Sequence, residues 1–390
     1  MKILLINWQK GENNPFDYFN SKLIEQFRLY GCIVSVIDLD ESFVNKVKQT
    51  TKVDLAIAWQ GIGSNVNLED GSNLWEKMKI PLVCLHGDHP CHMPMNHSVD
   101  NPYVHHIYGA PSFARYSNTY FNKSRPSIYY LGPNIFNPIR TSHRRQGNFF
   151  VFPKNLDPIN ETLKTWRESL KPETLSFLIE ASEEIISDYD SNTYKDHHQR
   201  IDSLITRERF DKIKIENNVT NEVSLFHKLH ALLDKIYRNH ASEQVVKLLA
   251  DYPLRVYGRG WDSFAGLNVK HEFLKFDLLS DGDFQFYSNY GIIDIASSVD
   301  SLHDRMFRAC ANNGAFISNS LLSNASLLDR KFDDLFYRMN NNSLLKTVER
   351  IISAPKVHLD MCEDFSNSYD NRSSFYAFYL YLINFSQLRF

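Results

Sequence analysis

Apolar runs and amphipathic stretches alternate from the first residues of the chain. "KILLINW" is a short apolar run of the buried-strand type. "NPFDYFNSKLIEQFRLYG" spaces its apolar residues as a helix does and is closed by Gly31, and "CIVSVIDL" is a second strand, so the chain starts β-α-β. "VDLAIAWQG" predicts a third strand and "GSNLWEKMK" a short helix. "IPLVCLHGDHP" predicts a fourth strand that runs into a polar, histidine-rich loop, and "SIYYLGPN" closes this half near residue 135. Strands that alternate with helices imply a parallel, doubly wound sheet.

From about Asn160 to Leu249 the period becomes helical throughout, in "ETLKTWRESL", "ETLSFLIEASEEIISDY", "HHQRIDSLITRERFDKI" and the long "EVSLFHKLHALLDKIYRNHASEQVVKLLADY". The β-α pattern then resumes. "LRVYGRGW" reads as a strand, "DFQFYSNYG" as a helix, "IIDIASS" as a strand, "DRMFRACANNG" as a helix and "AFISNS" as a strand. "LLDRKFDDLFYRM" and "NSLLKTVERIISAP" supply late helices, and the aromatic "SSFYAFYLYLINFSQLRF" ends the chain. The expected organisation is α/β: a Rossmann-like domain over 1–145, a helical bridging segment over 146–250, a second Rossmann-like domain over 251–345, and C-terminal helices over 346–390 that pack back across the domains. An aromatic helix face at a membrane surface is the alternative for the last segment.

At 390 residues the chain exceeds what one core usually serves, in agreement with two domains. A net charge of −3 gives no overall electrostatic case for a nucleic-acid partner, so any basic site must be local. Five scattered cysteines suit a reducing compartment, and no signal-peptide pattern or membrane-length apolar run occurs; the expected location is cytoplasmic, with peripheral contact at an inner membrane as an option. The oligomeric state is not legible.

Candidate chemistry gathers where strands give way to helices. In "SVDSLHDRMFRACANNGAFISNS" the residues His303, Asp304 and Arg305 stand at a helix start, where unpaired N–H groups and the positive end of the helix dipole favour an anion and Arg305 adds a forked donor. The plain alternative is that Ser301 or Asp304 caps the helix. In "YGRGWDSF", Gly258 and Gly260 allow close backbone approach to a ligand and Arg259 could reach a diphosphate; a strand-ending turn explains them equally. The cluster "CLHGDHPCHMPMNH" with "VHHIYG" invites a zinc-hydrolase reading, but its spacing fits no standard finger and no metal is expected. Asp234 stands four residues before Arg238, as for a helical salt bridge; a carboxylate facing a cleft is the other possibility. His271 is either a surface histidine or a loop residue beside a phosphate.

"LRVYGRGWDSF", His271 and "YSNYGIIDIASSVDSLHDRMFRACANNGAFISNS" resemble the C-terminal half of GT-B-fold glycosyltransferases, most nearly the CgeB-like (spore maturation protein) family, and "IPLVCLHGDHP" resembles that family's strand ending in an Asp-x-Pro loop. The resemblance implies two Rossmann-like domains facing a cleft, the first on the acceptor side and the second holding the donor nucleotide. It implies metal-independent transfer of a sugar from a nucleotide-sugar to a glycan or lipid-linked glycan of a bacterial surface polysaccharide. Gly258, Arg259, Gly260, His303, Asp304, Arg305 and Arg308 would surround the donor phosphates. Asp88 or His89 would act as general base or acid, with Asp234 and His271 as further catalytic candidates. One departure stands out: Arg308 occupies the place where many GT-B enzymes carry a ribose-binding Glu, and a guanidinium accepts no hydrogen bond. It leaves open a β-Kdo-type transferase using a CMP-activated acidic sugar, as in lipopolysaccharide or capsule synthesis, and a catalytically silent GT-B-like binding protein.

Overall fold

The computed structural model describes residues 1–8, 15–50, 52–121, 123–130, 135, 147–191, 196–264, 270–274, 290–296, 300–312, 314–319, 330–338, 341–372 and 375–387. Its contacts divide the chain into two compact units, residues 1–137 with 366–390, and residues 138–365.

The first unit is a parallel sheet with helices between successive strands. It contains β1 (Lys2–Asn7), α1 (Pro15–Leu29), β2 (Ile33–Asp38), α2 (Phe43–Gln49), β3 (Leu55–Trp59), α3 (Leu74–Met78), β4 (Leu82–His86), α4 (Pro94–His97), β5 (Val104–Tyr108), α5 (Pro111–Tyr120) and β6 (Ile128–Tyr129). The order across the sheet is β2-β1-β3-β4-β5-β6. Ile3, Leu4, Leu5 and Ile6 are all buried because β1 lies inside the sheet and is covered on both faces, so it reads as a continuous apolar run. Strand β6 falls in the closing segment "SIYYLGPN". The sequence reading passed over β5: "VHHIYG" looked like part of a histidine cluster, yet its register with β4 pairs Cys84 with His106 and His86 with Tyr108.

The second unit opens with β7 (Phe150–Pro153), then α6 (Ile159–Ser169), α7 (Pro172–Ser191), α8 (His197–Leu204), α9 (Arg207–Asn217) and α10 (Glu222–Leu248). It continues with β8 (Leu254–Tyr257), β9 (His271–Leu274), β10 (Gly291–Asp294), α11 (Asp304–Ala311), β11 (Phe316–Ser318), α12 (Asn341–Ser353) and α13 (Pro355–Arg372), the last of which passes the unit limit at 365/366. The sheet is parallel, ordered β11-β10-β7-β8-β9.

Two differences from the sequence reading follow from β7. This four-residue apolar strand is the centre of the second sheet, so the helices from α6 to α10 are an insertion between the first two strands of the second unit, and the limit falls near 137/138 in place of 145. The physical reason lies in α10. Its N-terminal half packs Leu225, Leu229, Leu233 and Ile236 into a helical core, while Ala241, Val245 and Val246 further along join the sheet core with Phe150, Phe152 and Val256. The stretch read as one helix from "HHQRIDSLITRERFDKI" is two, because Thr206 stops α8 and caps α9 by accepting the N–H of Arg209. Among its described residues, "LLDRKFDDLFYRM" forms a 3-10 turn over Arg330–Leu335. The helix expected over "DFQFYSNYG" lies, up to residue 289, outside the described residues.

The aromatic C-terminal segment is α14 (Phe375–Ser386). Phe375, Phe378, Leu382 and Phe385 form its buried stripe, and they meet other residues of the first unit: Phe375 on Phe27 at 5.0 Å between ring centroids, Phe378 on Tyr130 at 5.6 Å and Phe385 on His105 at 4.0 Å. The apolar face proposed for a membrane surface is therefore taken up by the protein's own core. No helix among the described residues is long and apolar enough to cross a membrane.

Candidate functional site

In an open parallel sheet the chain leaves the first strand toward one edge and later returns to the other, and the two loops diverge at that switch, leaving a crevice outside the C-terminal strand ends. In the second sheet the chain goes from β7 to β8 on one side and comes back to β10 on the other, so the switch lies between β7 and β10. Lys154 directly follows β7, and Asp294 is the last residue of β10.

Asp294 is fully buried and is the hub of the group. Its Oδ1 lies 3.1 Å from Arg305 Nη1, which donates to it, and 3.1 Å from His303 Nδ1, while Oδ2 accepts from Ser318 Oγ at 3.3 Å. Its backbone carbonyl accepts the Tyr337 hydroxyl at 2.9 Å. Burial by itself would raise the carboxyl's pKa, but His303, Arg305 and Lys154 together outweigh it and hold the group well below the usual carboxylate range. Asn319 Oδ1 accepts the N–H of Ala296 at 2.6 Å, which ties the ends of β10 and β11 together. Lys154 is only partly accessible. Burial, and then the charges of Arg305 and Arg238, push its pKa down to about 7 against the opposing pull of Asp294 and Asp234. Lys154, His303 and Arg305 thus gather at one end of the sheet.

Helix α11 begins beside them. His303 occupies the cap position in extended backbone and makes no side-chain capping bond of its own. Asp304 lies 3.4 Å from His303 Nε2 and 3.6 Å from Arg308 Nη1. The first-turn N–H groups and the dipole of α11 therefore add to the cationic character of the crevice.

Several residues singled out in the sequence lie elsewhere or have other partners. Arg308 is 2% exposed and turned into the protein against Asp304, so it does not pair with Arg305 in presenting charge. Gly258 and Gly260 serve a backbone contact: at φ of 147° and 88°, a Cβ on them would sit 2.3 Å from the Lys154 carbonyl oxygen and 1.7 Å from that of Leu156. Arg259 between them is exposed, and its N–H donates to Asn155 Oδ1 at 2.9 Å. The motif thus clasps the loop after β8 to the loop after β7, and Trp261 Nε1 donating to the Lys154 carbonyl at 2.6 Å completes the clasp. His271 is on no loop. It opens strand β9, bonded to the Leu249 carbonyl at 2.9 Å, at the N-terminal edge of a parallel sheet and so at the opposite end from the crevice.

Asp234 is fully buried, with His197 Nε2 2.9 Å from Oδ1 and Arg238 Nε 2.8 Å from Oδ2, an arrangement unlike that of an open nucleophile. In the first unit Asp88 is exposed and accepts from Gln60 Nε2 at 2.8 Å. Its neighbour His89 is a core residue: Nδ1 accepts the Cys91 N–H at 3.2 Å and the ring packs edge-on against Phe113 and Tyr116. Lys154 and Asp294 were missed in the sequence, whereas the Asp234–Arg238 salt bridge expected from their spacing is present. The available signals were a lysine just past an apolar run, in "FVFPKN", and an aspartate interrupting the buried strand "GIIDIA".

Among solved structures the chain is similar to HepE of Anabaena in complex with UDP-glucose, with 11% identity and a TM-score of 0.50 over 100% of both chains. The fold is that of the GT-B glycosyltransferases. An alpha-glucosyltransferase in complex with UDP is similar at 11% identity and a TM-score of 0.45, covering 96% of each chain. An alpha-glucosyltransferase in complex with UDP-glucose and DNA containing an abasic site is similar at 11% identity and a TM-score of 0.48, covering 97% of this chain and 98% of that one. No protein-family model and no curated protein matches the chain in sequence.

Proposed function

We propose that the protein is a nucleotide-sugar glycosyltransferase whose donor diphosphate binds in the crevice between β7 and β10. The observation that carries this is the convergence of Lys154, Arg305 and the N-terminus of α11 at the switch point of a GT-B sheet. A uridine nucleotide is the first candidate, because the HepE structure of the same fold holds UDP-glucose. In the transfer step the acceptor hydroxyl oxygen bonds to the anomeric carbon as the bond from that carbon to the phosphate oxygen breaks. The electron pair of that bond leaves on the diphosphate, where Lys154, Arg305 and the α11 amides stabilise the added charge. These groups would serve the diphosphate without a metal ion on it. The proton of the acceptor passes to a base, and exposed Asp88 in the first unit is the candidate. The acceptor is expected to be a glycan or lipid-linked glycan.

The inward burial of Arg308 removes the motive for the acidic-sugar donor, since the guanidinium that suggested it faces Asp304. A thermal-shift panel with UDP, GDP, dTDP, ADP and CMP tests the reading. UDP at a hundredfold excess over its dissociation constant should stabilise the protein by about 2.7 kcal/mol, and Lys154→Ala or Arg305→Ala should abolish the shift. A response to CMP alone would restore the acidic-sugar reading. If no nucleotide shifts the transition, a silent GT-B-like binding protein becomes the better account.

A further inference from the structure

The helical insertion contains a connected buried group of histidines and carboxylates that the donor reading does not use. Helix α8 is capped by Asp196, whose carboxylate accepts the N–H groups of His198 at 3.0 Å and Gln199 at 3.4 Å, fixing the backbone that carries His197 and His198. Both imidazoles turn inward to Asp234 on α10. His197 Nε2 lies 2.9 Å and His198 Nε2 4.0 Å from the same oxygen, Asp234 Oδ1, and one donor atom from each of the three residues falls within 4.8 Å of the others.

The surroundings hold these atoms in that arrangement. Asp202 Oδ1 is 2.9 Å from His230 Nδ1, and His230 Nε2 is 3.0 Å from His198 Nδ1. A carboxylate can only accept, so His230 carries its proton on Nδ1 and offers Nε2; His198 then carries its proton on Nδ1 and turns the lone pair of Nε2 toward Asp234. The second oxygen of Asp234 is engaged by Arg238, and the His197 ring is stacked on Tyr237 with centroids 3.9 Å apart. Without metal, His197 Nε2 donates to Asp234 Oδ1, so binding requires that proton to leave Nε2, for solvent or for Nδ1. A carboxylate-backed histidine and a ligating carboxylate held through its other oxygen are the outer-shell features of metal sites.

We propose that His197, His198 and Asp234 bind one divalent transition-metal ion, zinc in the first instance, as a structural site that joins α8 to α10. Two imidazoles and a carboxylate suit zinc, with a water molecule as the fourth ligand. A second buried group, Cys84, His86 and His106 in the first unit, is the weaker candidate. There the two imidazoles are hydrogen-bonded to each other at 3.0 Å, and the positive charge of Lys123 acts on Cys84 and both rings. This proposal does not rest on the donor reading.

The test uses the untagged full chain, stripped with a chelator, verified as folded by circular dichroism and then titrated with Zn2+ and with Co2+. One equivalent of Zn2+ should bind and raise the melting temperature, and Co2+ should give the visible absorption of a four-coordinate site. His198→Gln should abolish binding. His230→Gln, which removes only the backing residue, should weaken it about 10–100-fold while leaving the stoichiometry at one. Cys84→Ser with His86→Gln should leave binding unchanged. Absence of uptake by the folded wild type overturns the proposal without recourse to any variant, and so does metal that is retained in His198→Gln or lost in the Cys84, His86 double variant.

Discussion

Under the proposed function, Lys154 is the residue whose charge at the crevice depends most on its surroundings. An ordinary lysine is charged throughout the neutral range, whereas here burial, Arg305 and Arg238 bring the pKa to about 7. If the ammonium contacts the donor diphosphate, nucleotide affinity falls as pH rises through about 7, and Lys154→Met removes that dependence; isothermal titration with UDP from pH 6 to 9 reads both. The stability effect has the opposite slope. The unfolded lysine holds a proton that the folded one lacks between about 7 and the ordinary lysine value of 10.5, so this group adds stability as pH rises across that window. Sequence alone pointed to His303 and Arg305, because helix starts after apolar strands leave a readable signature. It could not point to Lys154, whose importance comes from charges on β10, α10 and α11 that only the fold brings near it. Gly258 and Gly260 were read either as ligand-approach glycines or as a strand-ending turn, and their geometry is accounted for by a backbone contact. Glycine reports that something comes close, and here it is the backbone of Lys154 and Leu156.

At the level of elements, sustained period or an apolar run bounded by turn residues was legible even in the short strands β8, β10 and β11, whereas β7 and β9 were missed. Helix α10 and strands β1, β3 and β4 stand out by period or by unbroken apolar character. Strands β7 and β9 are four residues each, and β9 alternates half-buried with exposed positions at the sheet edge, so it has little apolar signal to show. Missing β7 also displaced the domain limit, since the central strand of the second sheet precedes the whole helical insertion. Helix α14 shows the reverse, a strong apolar signal with more than one meaning. Its stripe at Phe375, Phe378, Leu382 and Phe385 has the period of a helix packed on one side. Phe378→Ala should cost about 3–5 kcal/mol in urea unfolding of the first unit, as expected for a buried phenylalanine, and should leave nucleotide binding by the second unit in place. A loss of vesicle binding with unchanged stability would instead mean that the stripe faces lipid.

For the molecule as a whole, acid is the predicted weakness. His105 in the first unit and His227 and His358 in the second have pKa values lowered to about 4, chiefly by burial, so they stay neutral in the fold while their unfolded counterparts protonate below about 6.5. The unfolded state therefore binds more protons between those values, and stability drops as pH falls from about 6.5 to 4; at pH 5 the loss is on the order of 2 kcal/mol for a fully buried histidine such as His227. Melting temperatures that hold constant from pH 7 to 5 would contradict this. The placement of α14 also bears on how the protein is made. Synthesis runs from the N-terminus, at about 5–20 residues per second in cells. The first sheet thus leaves the ribosome before Pro138–Phe365 has been translated, and the helix that covers Phe27, His105 and Tyr130 arrives only at the end. For some tens of seconds the nascent first unit displays a bare aromatic surface, so its folding is completed after the second unit has emerged, and a chain interrupted before Ser366 would leave that surface open to chaperones or to aggregation.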